Sequence, residues 1–333
     1  MAEATYEVLG IGNAIVDVLA RTDERFLAEE SLAKGSMRLI GADEAERVYG
    51  RLGPATESSG GSAANTTAGI ASMGGRAAFI GKVADDQLGR IFAHDMTAIG
   101  VSFTTPPLAD GAPTARCLIL VTPDGERTMN TYLGAAQDLR PADIDETLVG
   151  SAAITFLEGY LWDPRLAKEA FRKAAAAAHR AGRKVALTLS DSFCVDRYRG
   201  EFLDLIRSKA VDIVLANAHE LRSLYETSSL EAGLAALRQD ATLAAVTNSV
   251  EGSFVVSAAG IEQVAATPVE RVVDATGAGD LYAAGFLLGV ARGWPLARAA
   301  ALGSFAAAEV ISHMGARPAE RLQDLARGGG YAL

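Results

Sequence analysis

The stretch VDATGAGDLYAAGF, residues 273–286, joins a glycine-rich turn and one carboxylate to an apolar segment that favours a helix. Gly277 and Gly279 allow backbone conformations closed to residues with a Cβ, so free N–H groups of the helix's first turn can converge on an anion. Asp280 then lies beside a phosphate cradle. Because a carboxylate repels phosphate, its presence there fits a base that takes a proton from a hydroxyl during phosphoryl transfer, with the amides of residues 277–279, including Ala278, stabilising the developing charge. A helix N-cap is the alternative explanation for Asp280.

A second glycine-rich segment lies in the N-terminal third of the chain. It reads SSGGSAANTTAGIASMGG over residues 58–75 and continues as RAAFIGKV over 76–83 and DDQLG over 85–89. In sequence, order and spacing the two segments resemble the paired signatures of the ribokinase (PfkB-type) family of carbohydrate and nucleoside kinases. The resemblance extends from Tyr6 to about Arg317. It implies an ATP-dependent kinase with a ribokinase-like three-layer α/β/α fold, a mainly parallel central sheet and a small β lid that closes over the substrate.

Composition narrows the class of protein. The 333 residues are 49% hydrophobic, which is enough for a large core. The formal net charge of −10 argues against binding to nucleic acid or to an anionic membrane, because both need clustered Lys and Arg. No terminal segment has the order of a signal peptide, so a cytoplasmic protein is expected. Cys117 and Cys194 lack paired spacing and are expected to be reduced.

Strand-like and helix-like segments alternate along the chain, which predicts a parallel sheet covered on both faces, with ligands at the carboxyl ends of its strands. The strands are expected over 6–12, 77–83, 152–157, 185–189, 213–216 and 244–247. The helices are expected over 66–73, 87–99, 164–181, 202–208, 218–225, 230–239, 280–291 and 296–312.

Two stretches, within residues 13–53 and 101–137, interrupt this alternation and are predicted to form a small β element, which the resemblance assigns to the lid. Within residues 101–137, RCLILV (116–121) and RTMNTY (127–132) flank TPDGE as a hairpin would. The predicted division gives residues 1–12, 54–100 and 138–333 to the nucleotide-binding core, and residues 13–53 and 101–137 to the lid. A homodimer formed through the lid is left open.

The end of the first strand carries the candidate acceptor site. A dinucleotide-binding fingerprint is rejected, because it needs glycine where Ile15 stands and a helix where residues 16–19 look extended. The resemblance implies instead that Asn13 and Asp17 hold sugar hydroxyls, for which an amide and a carboxylate are suitable partners. An Asx-turn with a solvated aspartate is the alternative.

The second segment adds three residues to the acceptor site. Gly60 and Gly61 would let the backbone approach the sugar closely, and Asn65 could supply a donor and an acceptor. A helix start capped by Ser62 or Asn65 would explain the same residues.

The nucleotide side is expected at two later strand ends. Asn217 and Glu220 match the family's Asn-x-x-Glu motif, which organises Mg²⁺ and phosphate largely through water, although a capping box has the same pattern. TNSVEGS, residues 247–253, stands where the family usually has Thr-x-Gly-x-x-Gly. Thr247 and Gly252 are kept, but Ser249 replaces the first glycine, which leaves the loop's path open. Thr276 and Gly279 complete the expected nucleotide contacts.

The resemblance implies two further roles. Arg127 matches a lid arginine that reaches toward the transferring phosphate in adenosine kinases, with an exposed hairpin arginine as the alternative. Asp274 and Thr276, with the region of Gly315 and Ala316, match backbone positions that bind K⁺.

The identity of the acceptor depends on local likeness. GNAIVD, residues 12–17, is more similar to adenosine kinases than to ribokinases, and LSDSFCVD, residues 189–196, is similar to a bacterial adenosine-kinase-like subgroup. A nucleoside such as adenosine is therefore expected, held by an apolar lid face with Met37, Met129, Leu133 and Tyr160, although such residues also form plain cores. A free sugar such as ribose, fructose or 2-keto-3-deoxygluconate is the alternative. A non-catalytic sensor is disfavoured by the intact Gly-Ala-Gly-Asp.

Overall fold

The computed structural model of the protein describes residues 3–328. Within this range the strands are β1 (Tyr6–Ile11), β2 (Ile15–Arg21), β3 (Met37–Leu39), β4 (Ala55–Gly60), β5 (Ala77–Ile80), β6 (Val101–Phe103), β7 (Ala115–Val121), β8 (Arg127–Tyr132), β9 (Ala152–Glu158), β10 (Lys184–Thr188), β11 (Ile213–Asn217), β12 (Leu243–Thr247), β13 (Ser253–Ser257) and β14 (Gly260–Val264). The helices are α1 (Glu24–Glu29), α2 (Ala42–Gly50), α3 (Ser62–Ser72), α4 (Gln87–Ala98), α5 (Glu146–Ser151), α6 (Arg165–Arg180), α7 (Ser192–Arg207), α8 (Ala218–Leu224), α9 (Leu230–Asp240), α10 (Ala278–Ala291), α11 (Leu296–Val310) and α12 (Leu322–Gly328).

A large sheet with the strand order β14-β13-β12-β11-β10-β9-β1-β5-β6 forms the centre of the molecule. Its pairs are parallel from β12 to β6, and β13 and β14 add an antiparallel edge. Adjacent residues of β1 point to opposite faces: Val8 belongs to the core cluster with α3, α4, α10 and α11, and Leu9 to the cluster with α6–α9. The predicted three-layer α/β/α architecture is confirmed.

A second, five-stranded sheet has the order β3-β8-β7-β2-β4. The predicted hairpin is present as antiparallel β7 and β8, with Gly125 at φ 86° in the turn. Two predicted boundaries differ from this pairing. β4 pairs with β2 in the small sheet, although 54–100 was assigned to the core, and β6 pairs with β5 in the large sheet, although 101–137 was assigned to the lid. Short edge strands show little periodicity, which explains why these two strands were placed in the wrong sheet. The division of the chain into core and lid stays a prediction.

Most predicted strands and helices end within a few residues of the observed ones. The largest difference is α7, which begins at Ser192 and not near residue 202. Its first half mixes apolar and charged residues and is kinked at Tyr198, and Asp191 caps its start by accepting a 2.6 Å hydrogen bond from the Cys194 amide. The β13–β14 hairpin and the lid helices α1 and α2 were also missed. Cys117 and Cys194 are buried and free, as predicted.

The parallel strands bring distant segments together at one edge. Glu158 ends β9, Asn217 ends β11 and Thr247 ends β12, while Asn13 follows β1 directly. The amino ends of α3 and α10 lie against each other beside this edge. Within residues 3–328 no helix is long and apolar enough to cross a membrane.

Candidate active site

The glycine-rich turn before α10 leaves the amino end of that helix open. Gly277 is the N-cap at φ 80°, a left-handed conformation, and no side chain caps the helix. The Ala278 amide donates to the Ala275 carbonyl at 3.2 Å, so of the three predicted amides those of Gly277 and Gly279 are better placed to meet an anion. No heavy atom lies within 4 Å of the point where a Cβ on Gly279 would stand. The turn is therefore open on the side of Gly279.

Asp280 faces the amino end of α3. Its Oδ1 accepts a 2.6 Å hydrogen bond from Ser62 Oγ, and its Oδ2 accepts a 3.0 Å bond from Asn65 Nδ2. The alternative in which Asp280 is a helix N-cap is wrong, because Gly277 takes that position. Burial raises the pKa of the Asp280 carboxyl, and the two hydrogen bonds and the charge of Arg317 oppose that rise. The two glycine-rich segments thus build one carboxylate site.

Asp17 lies in the same cleft as Asp280. Its carboxylate packs so closely on Gly60 that a Cβ there would overlap it. Burial raises the pKa of Asp17 to about 6, against the charge of Arg317, and the negative charge of Asp280 adds to the rise. The Asp17 carboxylate thus lies against the backbone of Gly60 and is partly buried, and its part in holding sugar hydroxyls stays a prediction. Gly61, at φ 99°, has no room for a Cβ beside the Asn13 carbonyl oxygen.

Asn13 is held by a residue that the sequence analysis missed. Its Nδ2 donates to Glu158 Oε1 at 2.6 Å, its amide donates to the same oxygen at 3.3 Å, and the Ala63 amide donates to Glu158 Oε2 at 2.8 Å. Both Asn13 and Glu158 are buried. A charged residue at the end of an otherwise apolar strand was the only signal in the sequence. Burial raises the pKa of Glu158 to about 7 despite these hydrogen bonds.

Replacing Glu158 with glutamine is expected to lower the free energy of unfolding by about 1–3 kcal/mol, because the new NH₂ group must face one of three donors. The raised pKa makes the folded protein hold the Glu158 proton more firmly than the unfolded chain does. Wild-type stability therefore falls as the pH rises from the ordinary 4.5 to about 7. Glutamine does not titrate, so the stability of E158Q does not change in this way. The difference in the free energy of unfolding between wild type and E158Q should therefore become smaller as the pH rises from 4.5 to about 7.

Urea unfolding of wild type and E158Q at about pH 5 and about pH 7.5 measures this effect. Glu262→Gln, an exposed change on β14, is the matched control and should leave stability unchanged at both pH values. A difference that stays constant between the two pH values would contradict the prediction.

Asn217 and Glu220 form the capping box considered as an alternative. Asn217 caps α8, and both its amide and its Nδ2 donate to the Glu220 carboxylate. Burial raises the pKa of Glu220 to about 7. Within residues 3–328 no group of three His, Cys, Asp or Glu residues could hold a metal ion. Because its carboxylate already accepts these donors, Glu220 suits Mg²⁺ only through water.

In the loop after β12, Ser249 adopts the left-handed backbone conformation that glycine favours. Ser249 adopts φ 52° and Gly252 adopts φ 90°. The Asn248 amide donates to the Gly252 carbonyl at 2.8 Å and closes the loop. Ser249 thus takes the left-handed conformation itself, so its replacement of glycine keeps a tight turn at the end of β12, next to β11.

Arg127 connects the small sheet to the turn before α10. Its Nη1 lies 2.6 Å from Asp274 Oδ2, and both side chains are about one-tenth exposed or less. The exposed hairpin arginine considered as an alternative is therefore wrong. Asp274 also accepts hydrogen bonds from the amides of Thr276, at 3.0 Å, and Gly315, at 2.8 Å. With its carboxylate engaged in this way, Asp274 could serve K⁺ only through its backbone carbonyl.

Comparison with known proteins identifies the family. The model of the pfkB family of carbohydrate kinases matches residues 31–322. The chain belongs to this family. It is therefore a kinase that acts on a sugar or nucleoside, a small molecule, and the family implies ATP and a divalent metal ion as cofactors.

Three relatives illustrate the similarity. The crystal structure of adenosine kinase from Sinorhizobium meliloti is 57% identical, with a TM-score of 0.90 over 98% of this chain and 100% of that one. The 5-dehydro-2-deoxygluconokinase of Geobacillus kaustophilus is 27% identical over 82% of this chain and 84% of its own length. The adenosine kinase of Saccharomyces cerevisiae is 25% identical over 96% of this chain and 98% of its own length. Nucleoside and sugar kinases both occur among the relatives of this pfkB-family chain.

Proposed function

We propose that this protein transfers the γ-phosphate of ATP to a primary hydroxyl of a nucleoside, with adenosine as the model acceptor. The observation that carries the chemistry is the Asp280 carboxylate, held beside the open amino end of α10 by Ser62 and Asn65. The observation that favours a nucleoside is the 57% identity over 98% of the chain with the adenosine kinase of Sinorhizobium meliloti.

Asp280 accepts the proton of the acceptor hydroxyl as that oxygen attacks the γ-phosphorus. The bond from phosphorus to the leaving oxygen of ADP breaks in the same displacement. In the turn of Gly277, Ala278 and Gly279, the amides of the two glycines, backed by the dipole of α10, stabilise the charge on the transferring group, while the Ala278 amide donates to Ala275 within the turn. Closure of the lid over the acceptor would exclude water that competes with it for the phosphate.

The acceptor lies between the two sheets in this proposal. Asp17 and Asn13 hold the sugar hydroxyls, while Gly60 and Gly61 let the backbone come close. Asn13 already gives its NH₂ group to Glu158, so its free Oδ1 is the atom that accepts from the sugar. Asn65 donates to Asp280 and orients this carboxylate, the general base, toward the sugar.

The nucleotide lies along the neighbouring strand ends. Asn217, Glu220, Thr247, Ser249, Gly252 and Thr276 are the residues we assign to it. When bound, Mg²⁺ supplies positive charge to the phosphates, and Glu220 would hold it through water. Arg127 would add a cation on the lid side after leaving Asp274, and backbone carbonyls of Asp274 and Thr276 would hold K⁺.

The lid provides apolar surface that suits a nucleobase. Met37, Met129 and Ile119 are in register across three neighbouring strands. Met37 is 56% exposed and Leu39 is 59% exposed, unlike core residues. Tyr160, 41% exposed, lies at the carboxyl end of β9. A planar base would cover part of this apolar surface, whereas a free sugar would cover less of it.

A sugar kinase is the second candidate, because several relatives are 5-dehydro-2-deoxygluconokinases. ADP release by the purified protein with MgATP separates the two. The panel is adenosine, inosine, guanosine, ribose, fructose, 2-keto-3-deoxygluconate and 5-dehydro-2-deoxygluconate, the last because it is the acceptor named for these relatives. We expect the highest kcat/KM with adenosine. Turnover with a free sugar alone would keep the chemistry and replace the acceptor, and no turnover with any compound would contradict the proposal.

A further inference from the structure

Arg317 reaches the floor of the cleft from the segment that follows α11. Its Nε donates to Asn65 Oδ1 at 2.7 Å, and its Nη2 donates to Ser59 Oγ at 3.0 Å and lies 3.7 Å from Met96 Sδ. The side chain is partly buried. No motif singled out this arginine, and the chemistry proposed above does not use it.

The contact with Arg317 determines which way the Asn65 amide points. A guanidinium has only donors, so it must face the amide oxygen. The NH₂ group of Asn65 is then directed to the opposite side, where it donates to Asp280 Oδ2 at 3.0 Å. With the amide reversed, Asn65 would present its oxygen to the carboxylate and its NH₂ group to the guanidinium, and both contacts would be repulsive.

Arg317 is itself held from two sides. Ser59, which accepts from Nη2, donates through its hydroxyl and its amide to Asp95 Oδ2 at 2.5 and 2.7 Å. The neighbouring Ala316 packs on Gly277, since a Cβ on Gly277 would stand 2.8 Å from the Ala316 Cα and carbonyl oxygen. The arginine therefore has a fixed position relative to both α3 and the turn before α10.

We propose that Arg317 is a positioning residue for the general base: through Asn65 it orients the Asp280 carboxylate toward the acceptor hydroxyl. This inference rests on the proposed function, in which Asp280 is the base. It assigns a role in the reaction to a residue that need not touch either substrate.

The charged and titratable groups around Asp280 come from several elements. Asp17 on β2, Glu158 on β9 and Tyr160 after β9 interact with it electrostatically, and Arg317 is the cation that opposes its rise in pKa. Arg127 on β8 and Arg317 act on Asp17 in the same way. Loss of the Arg317 charge should therefore raise the pKa values of both Asp17 and Asp280.

The test compares Arg317→Gln, Arg317→Lys, Asn65→Leu and the double variant Asn65→Leu/Arg317→Gln with wild type. For R317Q we expect kcat to fall by about 10- to 100-fold, as for a misplaced catalytic group, with the KM for ATP within about two-fold. The acidic limb of the kcat/KM profile should move up by about one pH unit. R317K keeps the positive charge but not the forked set of donors. Its acidic limb should therefore lie close to the wild-type pH, whereas its kcat should recover only in part.

The double variant tests whether Arg317 acts through Asn65. If it does, the two losses in kcat should not multiply, and the double variant should be no slower than the slower single variant by more than about two-fold. Arg321→Gln, an exposed arginine four residues further on, is the matched control and should retain wild-type kinetics. Thermal melting of each variant reports whether it is folded.

A folded R317Q with wild-type kcat and an unmoved acidic limb would overturn the inference while the proposed function stands. Fully multiplicative losses in the double variant would also overturn it. If R317Q does not fold, R317K decides, and wild-type kcat in that variant would be the contrary result. A wild-type protein without turnover on any acceptor would instead remove the proposed function, and this inference with it.

Discussion

Replacing Asp280 with asparagine is expected to lower kcat by about 10²- to 10⁴-fold, the usual contribution of a positioned general base. Asparagine keeps the shape of the side chain: its oxygen can accept from Asn65 Nδ2, and its NH₂ group can donate to Ser62 Oγ, which can accept as well as donate. It cannot take the hydroxyl proton, because an amide is not a base at neutral pH. ADP release with saturating MgATP and acceptor measures the loss.

The D280N variant should fold and bind ATP nearly as wild type does, since no charge pair that anchors α10 is removed. Calorimetric titration with ATP and thermal melting check these two points. Asp85→Asn provides a matched control, because Asp85 is exposed and lies outside the cleft. Unchanged turnover in D280N would remove Asp280 from the reaction and with it the mechanism.

Replacing Gly277 with alanine is the change with the second largest expected effect. At φ 80° an alanine is strained by about 1–2 kcal/mol. Its Cβ would also stand 2.8 Å from the Cα and the carbonyl oxygen of Ala316, which are backbone atoms and yield little. The turn must therefore shift and move the amides to which we assign the phosphate. We expect kcat to fall by about 10²- to 10³-fold, as for the loss of an oxyanion-hole donor.

Gly279→Ala separates strain from lost space. Gly279 has open space around it and no positive φ, so the alanine variant should be at least as stable as wild type in urea unfolding. Its methyl group would occupy the room proposed for the phosphate, so its activity should fall without a loss of stability. G277A should lose both. Wild-type stability and turnover in G277A would mean that the turn relaxes without affecting the site.

The turn before α10 is held in place by residues from other parts of the chain. The turn before α10 rests on Ala316, the carboxylate of Asp274 accepts the amides of Thr276 and Gly315, and Arg127 joins that carboxylate from the lid. The small sheet and the turn before α10 are thus joined directly by the ion pair between Arg127 and Asp274.

Much of the fold could be predicted from the sequence because its signals are local. Buried parallel strands appear as short apolar runs, and the runs at residues 77–80 and 213–216 are buried throughout. The turn at 277–279 was recognisable because glycine leaves a mark in the sequence wherever a left-handed backbone is required. The first half of α7, where apolar and charged residues are mixed, and the three-residue edge strands lack such signals and were missed or misassigned.

The sequence by itself determined the three-layer α/β/α class, the open helix end at residue 277 and the single carboxylate beside it. Only the tertiary structure decided how the polar side chains pair. Asn13 and Glu158 are 145 residues apart, and Asn65 and Arg317 are 252 apart. Contacts of this kind depend on strand order and on the packing of α3 against α10. No periodicity or spacing in the chain encodes these contacts, because the local sequence around one partner carries no information about where the other partner lies.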